Sequence, residues 1–496
     1  MILLDAIATY ARATPDQLAL VDLASGRRWT YQQLHRAVDR LAAWIVSALG
    51  PASGARLATL SKNNAEMVIL QLGCVRAGAV FMPLNWRLAV AELEALVADG
   101  QPALLFCQPA FTPPANAPRS LDMAEMLALG SADSAPPAAA RRAFDAAATL
   151  LYTSGTSGRP KGVMLSEQNN FWGCTNLIHG NAVGPSSTFL CDMPLFHTAG
   201  LMAATRTPLL AGGTVLISEG FDPQQTLARL SDPALRITHY FSVPQMAATL
   251  WNQPTFDADK LQGLVAWVIG GAPNPKAQSE RFIGAGVRIS EGFGMTETGS
   301  AFAIPPFAFG EMLRKAGSCG LPLMTVQAKV IDDDGRELGP GERGELLIAG
   351  PSVSAGYWQQ PDLTAQAFVG GWFHTGDTAV RDDEGYYTIV DRKKDMYISG
   401  GENVYPAEVE AVIAEITTIG ECAVIGVPDA RWGEVGRAYV IAVAGQVITA
   451  QQVISHCEAR LARFKVPKSV VIGEAIPRTA SGKAQKHVLR ERALAG

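Results

Sequence analysis

One segment of the chain has residue types and spacing suited to holding a polyphosphate: Tyr152-Thr153-Ser154-Gly155-Thr156-Ser157-Gly158-Arg159-Pro160-Lys161-Gly162. A short apolar run, Thr149–Leu151, leads into it, so the segment is expected to leave a strand. Glycines without a Cβ let successive backbone N–H groups converge on an anion. Thr153, Ser154, Thr156 and Ser157 add hydroxyl donors, and Lys161 adds a mobile positive charge. A flexible Ser/Gly linker is the plainer alternative, but a linker needs neither a strand leading in nor a Pro-Lys-Gly ending. The segment is not a Walker loop, because Pro160 stands where the second glycine of G-x-x-x-x-G-K-S/T belongs.

Further candidate segments follow along the chain. Leu195-Phe196-His197-Thr198-Ala199-Gly200 holds a lone histidine, which is more often structural than functional. Gly270-Gly271-Ala272-Pro273 follows the predicted strand Val265–Ile269, and loops at the carboxyl edge of a parallel sheet commonly meet ligand. Gly292-Phe293-Gly294-Met295-Thr296-Glu297 offers a hydroxyl for phosphate and a carboxylate for Mg2+, a hard cation that prefers oxygen. Thr375-Gly376-Asp377 taken alone is a hairpin turn, and Asp391-Arg392-Lys393-Lys394-Asp395 taken alone is a solvated charge run. Ser399-Gly400-Gly401-Glu402-Asn403-Val404-Tyr405-Pro406 is a glycine-bearing loop ahead of a predicted helix, and Pro477-Arg478-Thr479-Ala480-Ser481-Gly482-Lys483 sets one lysine after a small, flexible tract.

Together and in this order, these segments resemble the motifs of the adenylate-forming superfamily of acyl-CoA synthetases, peptide-synthetase adenylation domains and luciferases. The resemblance runs nearly end to end and is nearest to bacterial fatty-acyl and related acid–CoA ligases. It implies a large AMP-binding part over residues 1–390, a hinge at 391–395 that pivots at Lys394, and a small mobile part over 396–496. It also implies ATP and Mg2+, with CoA as co-substrate. Thr153, Ser154, Gly155, Thr156, Ser157, Gly158 and Lys161 would then hold the β- and γ-phosphates. Gly271, Ala272 and Pro273 would meet adenine, with Gly292, Phe293 and Gly294. The family usually has tyrosine where this chain has Phe293, which keeps the aromatic face and loses the phenol. Asp377 and Arg392 would contact ribose, Gly400 and Gly401 would shape the CoA path, and His197 would stand beside the substrate carboxylate.

The implied chemistry activates a carboxylate, a poor electrophile, by making a mixed anhydride with AMP. Thr296, Lys483 and a Mg2+ held by Glu297 would stabilise the charge on the phosphoryl group. A CoA thiolate would then displace AMP. With His197, these residues form the expected catalytic set. The acyl pocket is expected around His197, Thr198, Gly200, Phe241 and Met295, where small residues at Ala199 and Gly200 leave room. A fatty or other medium-to-long acid is the first expectation, and an aryl or phenylpropenoic acid the second. Delivery to a carrier-protein thiol instead of CoA, a luciferase-like oxygenase and a nucleotide-binding protein without turnover are the rivals. An amino-acid-activating domain is disfavoured, because no acidic residue lies within Leu195–Gly200 and no carrier domain is expected after residue 496.

The elements that must position these residues have an α/β rhythm. Between Tyr31 and Leu49 the apolar positions follow a helical period, with Thr30 as N-cap and Gly50 as stop. Short apolar runs (Leu57–Leu60, Ala79–Pro83, Thr188–Cys191, Thr214–Ile217, Ile237–Phe241) alternate with helical stretches such as Ala65–Ala77, which indicates mostly parallel sheets. The Pro/Ala-rich stretches Gln108–Pro118 and Ser131–Ala139 are expected as a surface excursion between two α/β halves. A β-rich unit over Val326–Val390 and a separate α+β domain beyond Asp391 complete the expected fold. That domain would hold strands Cys422–Val427 and Tyr439–Val443 and helices Ala407–Glu415 and Ala450–Ala462.

The 496 residues suggest roughly three structural units. A hydrophobic fraction of 48% and a charged fraction of 18% argue against disorder, and a net charge of −5 supplies no basic field for nucleic acid. Seven cysteines without a C-x-x-C pair read as reduced core thiols of a cytoplasmic protein. No signal peptide or transmembrane span is expected, and composition leaves peripheral membrane contact and oligomeric state open.

Overall fold

A computed structural model describes residues 5–130, 142–153, 161–272, 274–392, 395–399, 402–429, 431–461, 463–478 and 484–495. Two α/β sheets form the large part. The first runs in the order Ser120–Asp122, Leu104–Cys107, Arg56–Leu60, Val80–Leu84, Ala147–Thr153, Lys161–Ser166. Its pairs are parallel except the last, an antiparallel pair whose strands flank the phosphate segment.

The second sheet has nine strands, in the order Leu321–Pro322, Gly299–Ala303, Ile289–Met295, Ala266–Ile269, His239–Ser242, Thr188–Cys191, Thr214–Ile217, Leu18–Asp22, Arg28–Thr30. From Ile289–Met295 to Leu18–Asp22 every pair is parallel, so the carboxyl ends of these strands share one edge.

Local signals set several elements as expected. The helix Tyr31–Leu49 starts from a reciprocal capping box between Thr30 and Gln33 and ends at Gly50. The helix Ala65–Ala77 is buried nearly all round, as its continuous apolar run requires, and packs against Tyr31–Leu49 in one core.

The placement of the Pro/Ala-rich stretches differs from expectation. Residues 108–118 connect two neighbouring strands of the first sheet, Leu104–Cys107 and Ser120–Asp122. The stretch Ser131–Ala139 lies outside the described residues, and strands of that same sheet stand on either side of it. The two halves instead interleave in sequence, because the N-terminal strand Leu18–Asp22 pairs with Thr214–Ile217 in the second sheet.

The β-rich unit is an antiparallel sheet of Gln327–Ile331, Arg343–Ala349, Trp372–Arg381, Phe368–Val369 and Tyr387–Arg392. The last part forms a further sheet whose long pair is Ile419–Asp429 and Gly433–Ala442. Its helices Pro406–Ile413 and Ala450–Glu458 pack on this sheet and close a separate core around Val424, Ala438 and Val440. Ala450–Glu458 ends short of the predicted Ala462. Among the described residues, no helix is long and apolar enough to cross a membrane.

Candidate active site

The carboxyl edge of the second sheet opens onto a cavity of about 100 Å³. Its walls include the helix Glu167–Gly180, the turn of wide helix Ala199–Arg206, the loop at Gly270–Gly271, and the hairpin of Ile289–Met295 with Gly299–Ala303. Thr198, Phe241, Gly271, Gly292, Phe293, Gly294, Met295 and Thr296 all line it. Gly294 sits so close to the carbonyl of Gly299 that any Cβ there would collide with it. The Phe293 ring stands edge-on to Phe302 at 5.9 Å, so its face is held by packing.

His197 and Gly200, both expected at the pocket, are not among the residues that line the cavity. Gly200 is buried, and a Cβ on it would collide with the carbonyl of Pro194. Its small size thus serves the approach of two backbone segments, and the room expected there for substrate is filled. The His197 amide donates to the Pro194 carbonyl at 3.1 Å, and its ring lies 4.7 Å from Phe196. Ala272 adjoins the lining residue Gly271 and is half-buried.

Glu297 is 7% exposed, and its Oε1 accepts a hydrogen bond from the Tyr357 hydroxyl at 2.9 Å. The ammonium of Lys161 lies 5.4 Å from the centre of the Tyr357 ring. Tyr357 therefore stands between the cation that ends the phosphate segment and the carboxylate that follows Thr296. Backbone bonds hold this arrangement: Ser354 N donates to Glu297 O at 2.7 Å, Trp358 N to Gly162 O at 2.7 Å, and Met164 N to Gly356 O at 3.0 Å. One carboxylate at such a point fits Mg2+, which usually takes one or two carboxylates and fills its other positions with substrate phosphate and water. Thr153 and Lys161 face each other across the strand pair at the mouth of the phosphate segment.

The register of the β-rich sheet pairs Asp377 with Arg392. Asp377 is 2% exposed, and its amide donates to Thr375 Oγ1 at 3.0 Å. Ser154, Gly155, Thr156, Ser157, Gly158, Pro273, Lys394, Gly400, Gly401 and Lys483 lie outside the described residues.

Burial shapes the charges behind the site. Glu291, next to Gly292, has its carboxyl pushed up to about 7 by desolvation, against the hydrogen bond it accepts from Gly317 N at 2.9 Å. His239, at the start of its strand, is pushed down to about 4 by burial and stays neutral.

Sequence reasoning does not reach Tyr357, nor the asparagines Asn170 and Asn181 on the cavity wall. The signal for Tyr357 is a glycine-led aromatic pair, Gly356-Tyr357-Trp358. For the asparagines it is a stripe of Asn170, Gly173, Leu177 and Asn181 at helical spacing.

Comparison with known proteins identifies the family. The family described as AMP-binding enzyme matches residues 7–358, and its C-terminal domain matches residues 408–483. A feruloyl-CoA synthase of Amycolatopsis sp is 39% identical, over 97% of both chains. A long-chain-fatty-acid–CoA ligase of Mycobacterium tuberculosis is 34% identical, over 97% of this chain and 96% of that one. The crystal structure of ATP-bound MatB from Rhodopseudomonas palustris superposes with a TM-score of 0.88 at 32% identity, over 98% of both chains. The chain therefore belongs to the AMP-binding enzymes of the adenylate-forming superfamily, and its reaction class is that of the AMP-forming acid–thiol ligases.

Proposed function

We propose that the protein is an ATP- and Mg2+-dependent acid–CoA ligase whose acid is aromatic. The observation that carries this reading is the hydrogen bond from Tyr357 to buried Glu297, with Lys161 near the Tyr357 ring and Thr296, next to Glu297 in sequence, on the wall of a largely apolar cavity. In the first half-reaction a carboxylate oxygen bonds to the α-phosphorus of ATP and the bond to pyrophosphate breaks. Thr296 donates to the α-phosphate, Lys161 holds the outer phosphates, and Lys483 neutralises charge between carboxylate and phosphate. Glu297 would hold Mg2+, which supplies Lewis acidity toward phosphate oxygens. Asp377 and Arg392 hold the ribose, and Phe293 with Gly271, Ala272 and Pro273 frames adenine. In the second half-reaction the CoA sulfur bonds to the acyl carbon, AMP leaves with the electron pair, and the thiol proton passes to solvent. For that step the small part turns about Lys394 and brings Gly400 and Gly401 to the pantetheine path.

The cavity's Phe241, Phe293 and Phe302, together with the feruloyl-CoA synthase match, support an aromatic acid. A fatty acid is the second reading, favoured by the match to the long-chain ligase. A panel of phenylpropenoic and fatty acids, scored by pyrophosphate release with and without CoA, tests both. The expected result is acid-dependent release, highest with a phenylpropenoic acid, and an acyl-CoA product. Release that no acid in the panel stimulates overturns the ligase reading. Equal turnover with a carrier-protein thiol in place of CoA overturns the choice of acceptor.

A further inference from the structure

The cavity walls are largely carbon, with Leu165, Leu177, Met202, Ala203, Phe241 and Phe302 facing in. Asn181 is the exception farthest along the wall. It caps the helix Glu167–Gly180 and is 1% exposed. Its amide donates to the Leu177 carbonyl at 3.0 Å, and its own carbonyl lies 2.9 Å from His239 Nε2. Its side-chain Nδ2 donates to the same Leu177 carbonyl at 3.5 Å. These bonds account for every polar atom of the residue except Oδ1, which is buried with no partner among the described residues. Turning the amide round would set oxygen against the Leu177 carbonyl, so the unmet atom is an acceptor. Burying an amide oxygen without a donor is costly, and native structures rarely do it without a reason.

The position of Asn181 gives that reason a direction. His239 opens its strand at the amino edge of the sheet, whereas Gly270 and Thr296 lie just beyond the carboxyl ends of theirs. The strand His239–Ser242 spans about 10 Å at ~3.3 Å per residue. Asn181 is therefore at the end of the cavity remote from Thr296.

We infer that the acid this cavity takes carries a hydrogen-bond donor, a hydroxyl or N–H, on the end remote from its carboxylate, and that Asn181 Oδ1 accepts it. The inference rests on the ligase reading above and narrows its substrate class. A ring hydroxyl and a terminal hydroxyl on a chain are the same chemistry from two sources. The site selects by leaving its acceptor unmet when the donor is missing, which a purely apolar pocket cannot do.

Two matched pairs test this in the full-length protein: 4-hydroxycinnamate against cinnamate, and 12-hydroxydodecanoate against dodecanoate. In the wild type, kcat/KM for pyrophosphate release is expected to favour the hydroxylated member of one pair by about tenfold or more. That pair identifies the source. Asn181→Leu is expected to bring the two members of that pair within about twofold, through a fall in kcat/KM for the hydroxylated acid. Equal kcat/KM within both pairs in the wild type overturns the inference, and that comparison needs no variant to fold. A preference that survives Asn181→Leu overturns the assignment to Asn181. Acid-independent release with all four acids overturns the ligase reading and this inference with it, an outcome distinct from equal rates.

Discussion

At the scale of single residues, the arrangement around Glu297 depends on one hydroxyl. The Tyr357 O–H is the donor to Glu297 Oε1, and the Tyr357 ring is the surface near which the Lys161 ammonium sits. Tyr357→Phe keeps the ring and removes only the donor. A hydrogen bond to a charged group is worth about 1.5–3 kcal/mol, so kcat/KM for ATP should fall roughly tenfold to a hundredfold. The Mg2+ concentration for half-maximal rate should rise, because the carboxylate loses the bond that orients it, while the Lys161 contact survives. Steady-state pyrophosphate release titrated with Mg2+ measures this, and an unchanged Mg2+ dependence would show that the hydroxyl does not serve the metal. The case also marks what is legible in a sequence. Thr296 and Glu297 announce themselves within six consecutive residues, Gly292 to Glu297. Tyr357 acquires its role from a carboxylate 60 positions away, and only the folded chain joins the two.

At the scale of elements, the same division holds. The helix Tyr31–Leu49 could be bounded to the residue because its cap, period and stop are local. The membership of Leu18–Asp22 in the second sheet could not, because its register against Thr214–Ile217 is set by packing across nearly two hundred positions. Two parallel strands of that sheet also carry opposed titrations. Glu291 goes from an ordinary carboxyl value of 4.5 to about 7, so its contribution to stability is complete below 4.5 and is lost as pH rises through 7. His239 goes from 6.5 to about 4, so its contribution is complete above 6.5 and is lost as pH falls through 4. Each amounts to about 3 kcal/mol across its window. Between pH 4.5 and 6.5 the two slopes therefore nearly cancel. Glu291→Gln keeps an acceptor for Gly317 N and removes the titration, so the variant should gain stability with rising pH over that window. Urea unfolding at several pH values reads the slope directly, and parallel profiles for variant and wild type would reject the Glu291 assignment.

At the scale of the molecule, the large and small parts touch through polar groups. Gln245 Nε2 donates to Glu421 Oε1 at 3.2 Å, Arg343 approaches Glu408 at 3.8 Å, and the Arg343 guanidinium lies 5.5 Å from the Tyr405 ring. Partly exposed ion pairs of this kind contribute little, and polar interfaces between domains permit relative motion. Glu421 also grips Arg478 at 2.6 Å, and Arg478 precedes Lys483 by five positions. Arg478 is thus held within the small part by the same carboxylate that meets the large one. If the small part turns between half-reactions, Lys483 reaches the phosphate in one orientation and withdraws in the other. A net charge of −5 makes this local cation more necessary, because the overall field repels both ATP and CoA. Lys483→Ala should therefore abolish acid-dependent pyrophosphate release and leave transfer from a supplied acyl-adenylate to CoA within about twofold of the wild type. Assaying the two half-reactions separately decides it: equal loss in both would place Lys483 in a shared structural role and remove the motive for rotation.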